Sequence, residues 1–442
     1  MRSSDILAFL IVSSLLNGVL LSQTRTDPRA MALCGAYGTV SRGLFCVDYN
    51  PANLAIKDGV SEVRLIAGAG FSVINNFLSI KRYKKYNGKD FEANNQRLKK
   101  AFLSEIPDVG WRIFMDLHVP VPMVNYSKGN HAITYDILLI SDIGIAKDLV
   151  RFLVEGNEVN KTLDLRMNEE IVGIGQWAFS FGVPFKDFNI GFSFKYLQGL
   201  LYMGFNPDSS FGYITTHFTP EKNYIEGEGR YYFQQTVGGM GYSFDIGLTS
   251  RLINGYRLGI SLSNVFGRIY WNKRTLLARL VKPEEILPFE GDFYEYRFRV
   301  NEARFDKFFQ GIPYSEIIVG EGRTFRDTSV FIMKYPALFR FSVSKVIEDV
   351  VLTSDFVAGF QDRLYSFGRW KFAIGVEVLR SVKAPVRMGV SVGGKEIREF
   401  ALGGGYHLGL VNIDWAVGFC NGFILRKMQG VKFSFLVYTS KL

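Results

Sequence analysis

The amino-acid sequence predicts an all-β fold: a transmembrane antiparallel β-barrel of about 14 strands with an N-terminal plug. Three observations carry that expectation. Runs in which bulky apolar residues alternate with small or polar ones recur from Ile171 to the C-terminus, at the spacing of a half-buried strand. After the first ~20 residues, no window is apolar for long enough to cross a membrane as a helix, which leaves a closed barrel as the only spanning form. The composition is that of many amphipathic strands, with Gly 45, Phe 39 and Tyr 22 against Cys 3 and Pro 13.

A soluble sandwich also alternates, but its polar face meets water and is rich in charge. Here that face is mostly Gly, Ser and Ala with a sparse charge on each strand, while aromatics on the apolar face gather near strand ends, as interfacial girdles do. Closure removes the sheet edges that lipid cannot tolerate. A dozen to fifteen runs can be traced, and the preference of single-chain bacterial barrels for even numbers gives the figure of 14.

Residues 1–22 read as a secretory signal. Arg2 supplies the basic start, Ile6 to Leu16 the apolar core, and Gly18 to Ser22 small residues for cleavage near Ser22. A single anchoring helix is the alternative, because the apolar region reaches Leu21. No cysteine follows closely, which argues against a lipid anchor.

Residues 23–60 are expected to form the plug. Arg29 to Ala55 is rich in small residues (Ala30, Ala32, Gly35, Ala36, Gly38, Gly43) and ends in the turn-forming step Asn50-Pro51-Ala52, where Pro51 fixes its own φ and pushes Asn50 out of the helical region. Cys34 and Cys46 could bridge within it, and Cys420 reads as a small apolar side chain on a strand.

Residues 61–442 are expected to form the barrel. Ser61 to Phe71 is a first strand, with Val63, Leu65 and Ala67 alternating against Arg64, Ile66 and Gly68. Lys81 to Lys100 is polar and leads into a short helix, Glu92 to Leu103; Asp108 to Val121 is extended again. Between Ile140 and Glu155 the pattern is ambiguous, with a helical turn at Asp148 to Val154. Trp177, Phe179, Phe181 and Val183 then alternate with Gln176, Ala178, Ser180 and Gly182. A tight turn at Lys186-Asp187 leads to Phe188, Ile190, Phe192, Phe194 and Tyr196 against Asn189, Gly191, Ser193 and Lys195. Met240 to Thr249 and Tyr256 to Ser263 form a second hairpin around Asn254-Gly255, the strongest short hairpin signal. Arg268 to Arg326 is a long polar and aromatic insertion with a helix around Thr275 to Ile286, a candidate external loop or lid. Strands resume at Pro336, turn at Glu348-Asp349, and run through Leu352 to Ala358, Trp370 to Val378, Val386 to Gly393, Phe400 to Leu408, Val411 to Phe419 and Val431 to Val437.

The segment Arg29, Met31, Ala32, Leu33, Gly35, Ala36, Tyr37, followed by Tyr49, Asn50, Pro51, Ala52, Leu54 and Ala55, resembles the N-terminal hatch of FadL-like long-chain fatty-acid transporters and of the related PorV-like outer-membrane barrels. Cys34 and Cys46 depart from that pattern. The resemblance covers nearly the whole mature chain, by residues in the hatch and by pattern afterwards. It implies a monomeric barrel of the bacterial outer membrane that passively takes up small hydrophobic molecules such as fatty acids, with Asn50, Pro51 and Ala52 as a plug turn whose movement gates passage. PorV-like proteins imply instead a docking or shuttle component of a protein secretion system. A general water-filled porin is disfavoured by the plug.

Enzymatic motifs are scarce. His118, His131, His217 and His407 are far apart, none at metal-ligand spacing with another. His131 and Asp136, five apart on a strand, fall on opposite faces. The expectation is therefore no enzyme, no metal and no cofactor. Gly403-Gly404-Gly405 lacks the Lys-Ser/Thr of a phosphate loop and reads as close packing against the plug or a bulge. The net charge of +10 is dispersed, so outer-membrane lipid rather than nucleic acid is the expected partner, beside a hydrophobic ligand or secretion-system proteins. Charges on the small-residue face must meet water, a partner charge or the plug. Lys195, Asp245, Arg257, Glu377, Arg387, His407 and Asp414 are the lumen-facing candidates.

Overall fold

The structure, a computed structural model, describes residues 25–57, 62–91, 95–221, 223–271, 276–280, 287–289, 291–300, 303–304, 318–325, 331–361, 364, 368–381, 383–422, 424 and 426–441. The expected signal segment lies outside the described residues, as does most of the helix expected at Thr275 to Ile286, of which Leu277–Leu280 forms a 3-10 turn.

Fourteen strands close into one antiparallel ring. In chain order they are β1 Glu62–Asn75, β2 Trp111–Pro120, β3 His131–Ile145, β4 Met167–Phe185, β5 Phe188–Phe205, β6 Asn223–Ser250, β7 Tyr256–Trp271, β8 Leu338–Ile347, β9 Val350–Gly359, β10 Trp370–Val378, β11 Val386–Gly393, β12 Ile397–His407, β13 Val411–Cys420 and β14 Gly430–Lys441. Each pairs with the next, and β14 returns to β1 from Glu62↔Lys441 to Ile74↔Gly430. The connections at one end are tight turns, with Lys186, Asn254 and Glu348 at positive φ where the turn requires it. At the other end most are long, the short β11–β12 turn excepted, and helices α2 Ile80–Tyr86, α3 Gln96–Ser104 and α4 Lys147–Glu155 lie there.

The alternation sorts the side chains as expected. Phe179, Phe181, Val183, Phe192, Phe194, Phe244, Ile246, Phe372 and Val390 are exposed on the outer surface, while Ala178, Ser180, Ser193, Ser243, Ala373 and Ser391 are buried on the inner one. No helix among the described residues is long and apolar enough to cross a membrane; the apolar outer surface of the barrel is what hydrocarbon would contact.

Four readings of the sequence need correction. In β1 a register shift between Leu65 and Ala67 breaks the assumed parity, so Val63 and Leu65 face in, followed by Gly70, Ser72 and Ile74 rather than Ala67. The helix expected at Glu92 to Leu103 runs Gln96–Ser104, and the polar stretch before it holds a further helix, α2, capped by Ser79. The insertion expected from Arg268 starts later, since β7 reaches Trp271, and it contains strands. Phe293–Val300 pairs with both β6 and Ile318–Phe325. With Phe211–Phe218 and Thr162–Asp164, these extend the 28-residue β6 into a side sheet beyond the ring. Cys34, Cys46 and Cys420 are all free thiols, each buried.

Candidate functional site

The inside of the ring is occupied by the N-terminal segment, and its local structure follows from its sequence. Asp27 caps the short helix α1, Pro28–Ala32, accepting the Ala30 amide on Oδ1 at 2.9 Å, with Pro28 at the first helical position. Cys34 and Gly35 at positive φ end the helix. Asn50 caps the 3-10 turn Pro51–Ala55 in the same way, accepting from the Ala52 amide at 3.1 Å.

The wall beneath this segment is lined with glycine. A Cβ on Gly191 would lie 2.1 Å from the Ala52 amide nitrogen, one on Gly247 2.0 Å from Asn50 Oδ1, one on Gly389 2.5 Å from the Leu33 carbonyl carbon, and one on Gly403 2.6 Å from Ala32 Cβ. Gly70, Gly182, Gly259 and Gly375 meet the same segment. The inward glycines of the strand pattern therefore let one backbone lie directly on another. The Asn50-Pro51-Ala52 turn is buried there: Asn50 Nδ2 donates to Thr249 Oγ1 at 2.9 Å and to the Leu248 carbonyl at 3.2 Å, and Ser261 Oγ donates to the Tyr49 carbonyl at 2.6 Å.

Four groups of buried charge hold the segment to the wall. Lys195 lies between Asp48 and Asp245, 2.8 Å from Asp245 Oδ2, and donates to Asn264 Oδ1 at 2.8 Å. Gln176 donates to Asp48 as well. Arg29 pairs with Glu377, which also takes Arg387 at 2.7 Å; Arg387 reaches Asp414 at 2.6 Å, and Asp414 accepts from Tyr438 Oη at 2.9 Å with His407 Nε2 3.4 Å away. Asp355 accepts the amides of Tyr37 and Gly38 at 3.1 and 2.9 Å while bonded to Arg340, which donates to the Gly35 carbonyl at 2.8 Å. Arg25 lies 3.4 Å from Asp136, whose other oxygen is 3.0 Å from His118 Nε2; the Thr26 amide donates to His118 Nδ1 at 3.2 Å.

Of the residues singled out from sequence, Glu377, Arg387, His407 and Asp414 come together in one group, and Lys195 and Asp245 in another. Arg257 is buried on β7 near the tight-turn end, away from both. The sequence reading weighed Asp136 only as a partner for His131 and missed Asp48, Arg340 and Asp355. It also missed a fifth group, where Lys371 and Lys432 are bridged by Glu396 and Glu399 at 2.7 to 3.1 Å. A usable signal existed for the strand members: Arg340 shares parity with Ser342, Asp355 with Thr353, and Lys432 with Ser434.

Burial pushes the Asp27 carboxyl up to about 7; the Ala30 amide and the charges of Arg25 and Arg29 oppose it. Burial likewise raises the Cys46 thiol to about 12, which makes it an inert packing group. Between α1 and strands β10 to β14, at the tight-turn end, lies a cavity of about 350 Å3 lined in part by Asp27, Arg29, Phe45, His407 and Tyr438.

Toward the other end the lumen turns apolar. Ile74, Phe114, Leu138, Ile140, Val172, Ile174, Leu197, Tyr202, Ile269 and Trp271 pack into one buried layer. Beyond it opens a cavity of about 750 Å3 lined mainly by charged residues, among them Arg112, Asp142, Lys147, Arg166 and Glu170.

A family described as "Family of unknown function (DUF5723)" matches residues 51–312. No curated protein sequence matches the chain. Among solved structures, the chain is similar to the Ralstonia pickettii toluene transporter TbuX, at 13% identity over 94% of this chain and 98% of that one, with a TM-score of 0.49. It is similar to a Pseudomonas aeruginosa FadL homologue at 12% identity, over 96% and 99% of the two chains, with a TM-score of 0.45. It is also similar to the P. putida toluene transporter TodX at 10% identity, over 94% and 98%, with a TM-score of 0.45.

Proposed function

Because the chain belongs to the family of unknown function DUF5723, whose name assigns no activity, we propose a function from its own geometry: an outer-membrane barrel for passive uptake of small hydrophobic molecules, stoppered by its N-terminal segment. One observation carries the reading. A buried apolar layer lies inside the ring, directly above a segment bedded on wall glycines, so that the lumen is greasy where a porin's would be wet. The outer apolar surface supports a membrane setting, and closed antiparallel barrels with tight turns at one end and long connections at the other suit an outer membrane.

In this reading Asn50, Pro51 and Ala52 are the seat of the plug rather than a free hinge, since all three are buried, with the Pro51–Ala55 turn packed on β4, β5 and β6. Passage requires the segment to shift on its glycine bed. Lys195, Asp245, Glu377, Arg387 and Asp414 act as its anchors, with His407 beside Asp414.

Planar bilayers test the plug. Removal of Arg29 to Ala55, in a barrel that also carries Lys395→Glu to free the turn at the opposite end, is expected to give steady ion conductance where Lys395→Glu alone stays silent, and a double variant that stays silent would refute the stopper. Uptake is read separately, as protein-dependent entry of the apolar fluorophore N-phenyl-1-naphthylamine into proteoliposomes.

The side sheet supports a second reading, a docking component for other proteins, because it presents exposed Phe211, Phe218 and Val319 clear of the ring. Native mass spectrometry of the protein from its own membrane separates the two: a stoichiometric protein partner without an apolar adduct favours docking.

A further inference from the structure

The turn between β11 and β12 is not placed like the other hairpin turns. Lys186 and Glu348, at tight turns of the opposite end, are exposed to solvent, as charged turn residues ordinarily are. Lys395 is instead half-buried with its side chain only 7% exposed, and Glu396 is fully buried. Three residues of this turn have positive φ: Gly393 at +92°, Gly394 at +68° and Ile397 at +59°. For a β-branched residue such as Ile397 that conformation is strained and persists only where the surroundings impose it.

Two ionic contacts inside the barrel accompany it. Glu396 accepts Lys432 at 2.7 Å and Lys371 at 3.1 Å, which draws the turn inward over β10 and β14. Lys395 then reaches Asp142 on β3, 2.6 Å from Oδ2, across a ring in which β11 and β3 are nearly opposite. Arg112 holds the same carboxylate with two bonds, at 2.7 and 2.6 Å. The Lys395 ammonium also sits 4.7 Å from the centre of the Phe114 ring. Phe114 belongs to the apolar layer, whereas Arg112 and Asp142 line the charged 750 Å3 cavity. The contact thus stands on the boundary between the two.

We infer that residues 393–397 form a latch closing the mouth of the lumen, with the Lys395–Asp142 ion pair as its catch. Releasing Lys395 frees the tip to swing out and joins the charged cavity to the apolar layer. What then passes rests on the uptake reading above; the closure does not.

Cys420 is a native reporter, because it lies fully buried in the apolar layer. The test is its rate of modification by a membrane-impermeant maleimide in full-length protein carrying Cys34→Ser and Cys46→Ser. Lys395→Glu, which faces Asp142 with a like charge, is expected to raise that rate about tenfold, corresponding to about 1.4 kcal/mol of catch free energy. Lys395→Arg, which keeps the charge, is expected to leave the rate low. An unchanged rate in Lys395→Glu overturns the latch, and so does an equal rise in Lys395→Arg, since the ion pair would then not be the catch. If labelling rises in Lys395→Glu alone while fluorophore uptake stays absent, the latch stands and the uptake reading falls.

Discussion

Asp27 has one carboxylate oxygen committed to capping α1 and is otherwise enclosed. Its carboxyl titrates near 7 when the segment is seated and near 3.8 when it is released, with burial the leading cause. The seated form therefore holds a proton that the released form gives up, and the sign follows from linkage. The stabilisation is fully present below about pH 4, weakens as pH rises, and is lost once pH passes 7. A tenfold change in proton affinity is worth roughly 1.4 kcal/mol, so the effect is on the order of a few kcal/mol. Protection factors for hydrogen exchange of residues 25–35, corrected for the intrinsic rise of exchange with pH, should be higher at pH 5 than at pH 8. Asp27→Asn keeps the cap and should flatten that dependence; if the variant retains the full pH response, another group is responsible. At this scale the sequence was partly legible. Charges on strictly alternating runs, such as Lys195 and Asp414, announced their face. Asp48 and Glu396 did not, because they sit in a compact irregular segment and a turn, where no period assigns a face.

Elements were legible where the alternation is strict, from β4 through β7 and from β8 to β14. The first long connection was harder to read. Its core of Phe77, Tyr86, Phe102, Trp111 and Val150 brings together residues from α2, α3 and α4 that no single window relates. The side sheet escaped for a different reason: its strands carry polar or exposed residues on both faces, so Ile318–Phe325 reads as loop. Among the strands, the glycine bed gives the sharpest prediction. A side chain at Gly191 would run into backbone atoms of Pro51 and Ala52, which cannot give way as a flexible side chain could. Gly191→Val should therefore unseat the segment and, together with Lys395→Glu, produce the conductance expected of the deletion variant. Gly173→Ala, whose Cβ would meet only ordinary contacts at 3.4 and 3.5 Å, should behave like the parent protein. Equal conductance in the two variants would mean that the bed does not hold the segment.

For the whole molecule, closure is the condition of existence. β14 bonds β13 on one side and β1 on the other, and without it two strand edges would face lipid with nothing to pair. Deleting Gly430–Lys441 should abolish insertion into lipid vesicles and leave the product soluble in urea washes; a truncated chain that still resists extraction would show that the ring can close with fewer strands. The alternation of bulky and small residues bounded the number of strands at a dozen to fifteen, and the preference of single-chain barrels for even numbers narrowed it to 14. How the lumen is filled was not, because the segment and the wall meet through glycines, which carry no pattern of their own.

β6 gives the molecule a mechanical property. At about 3.3 Å per residue its 28 residues measure roughly 90 Å, about twice the path of a tilted strand across ~30 Å of hydrocarbon. It is rooted in the wall and rises beyond it as a mast, braced on either side by Phe211–Phe218 and Phe293–Val300. Asp245 is fixed near its foot, gripping Lys195 and through it Asp48. A pull on the tip of the mast is therefore also a tug on the N-terminal segment.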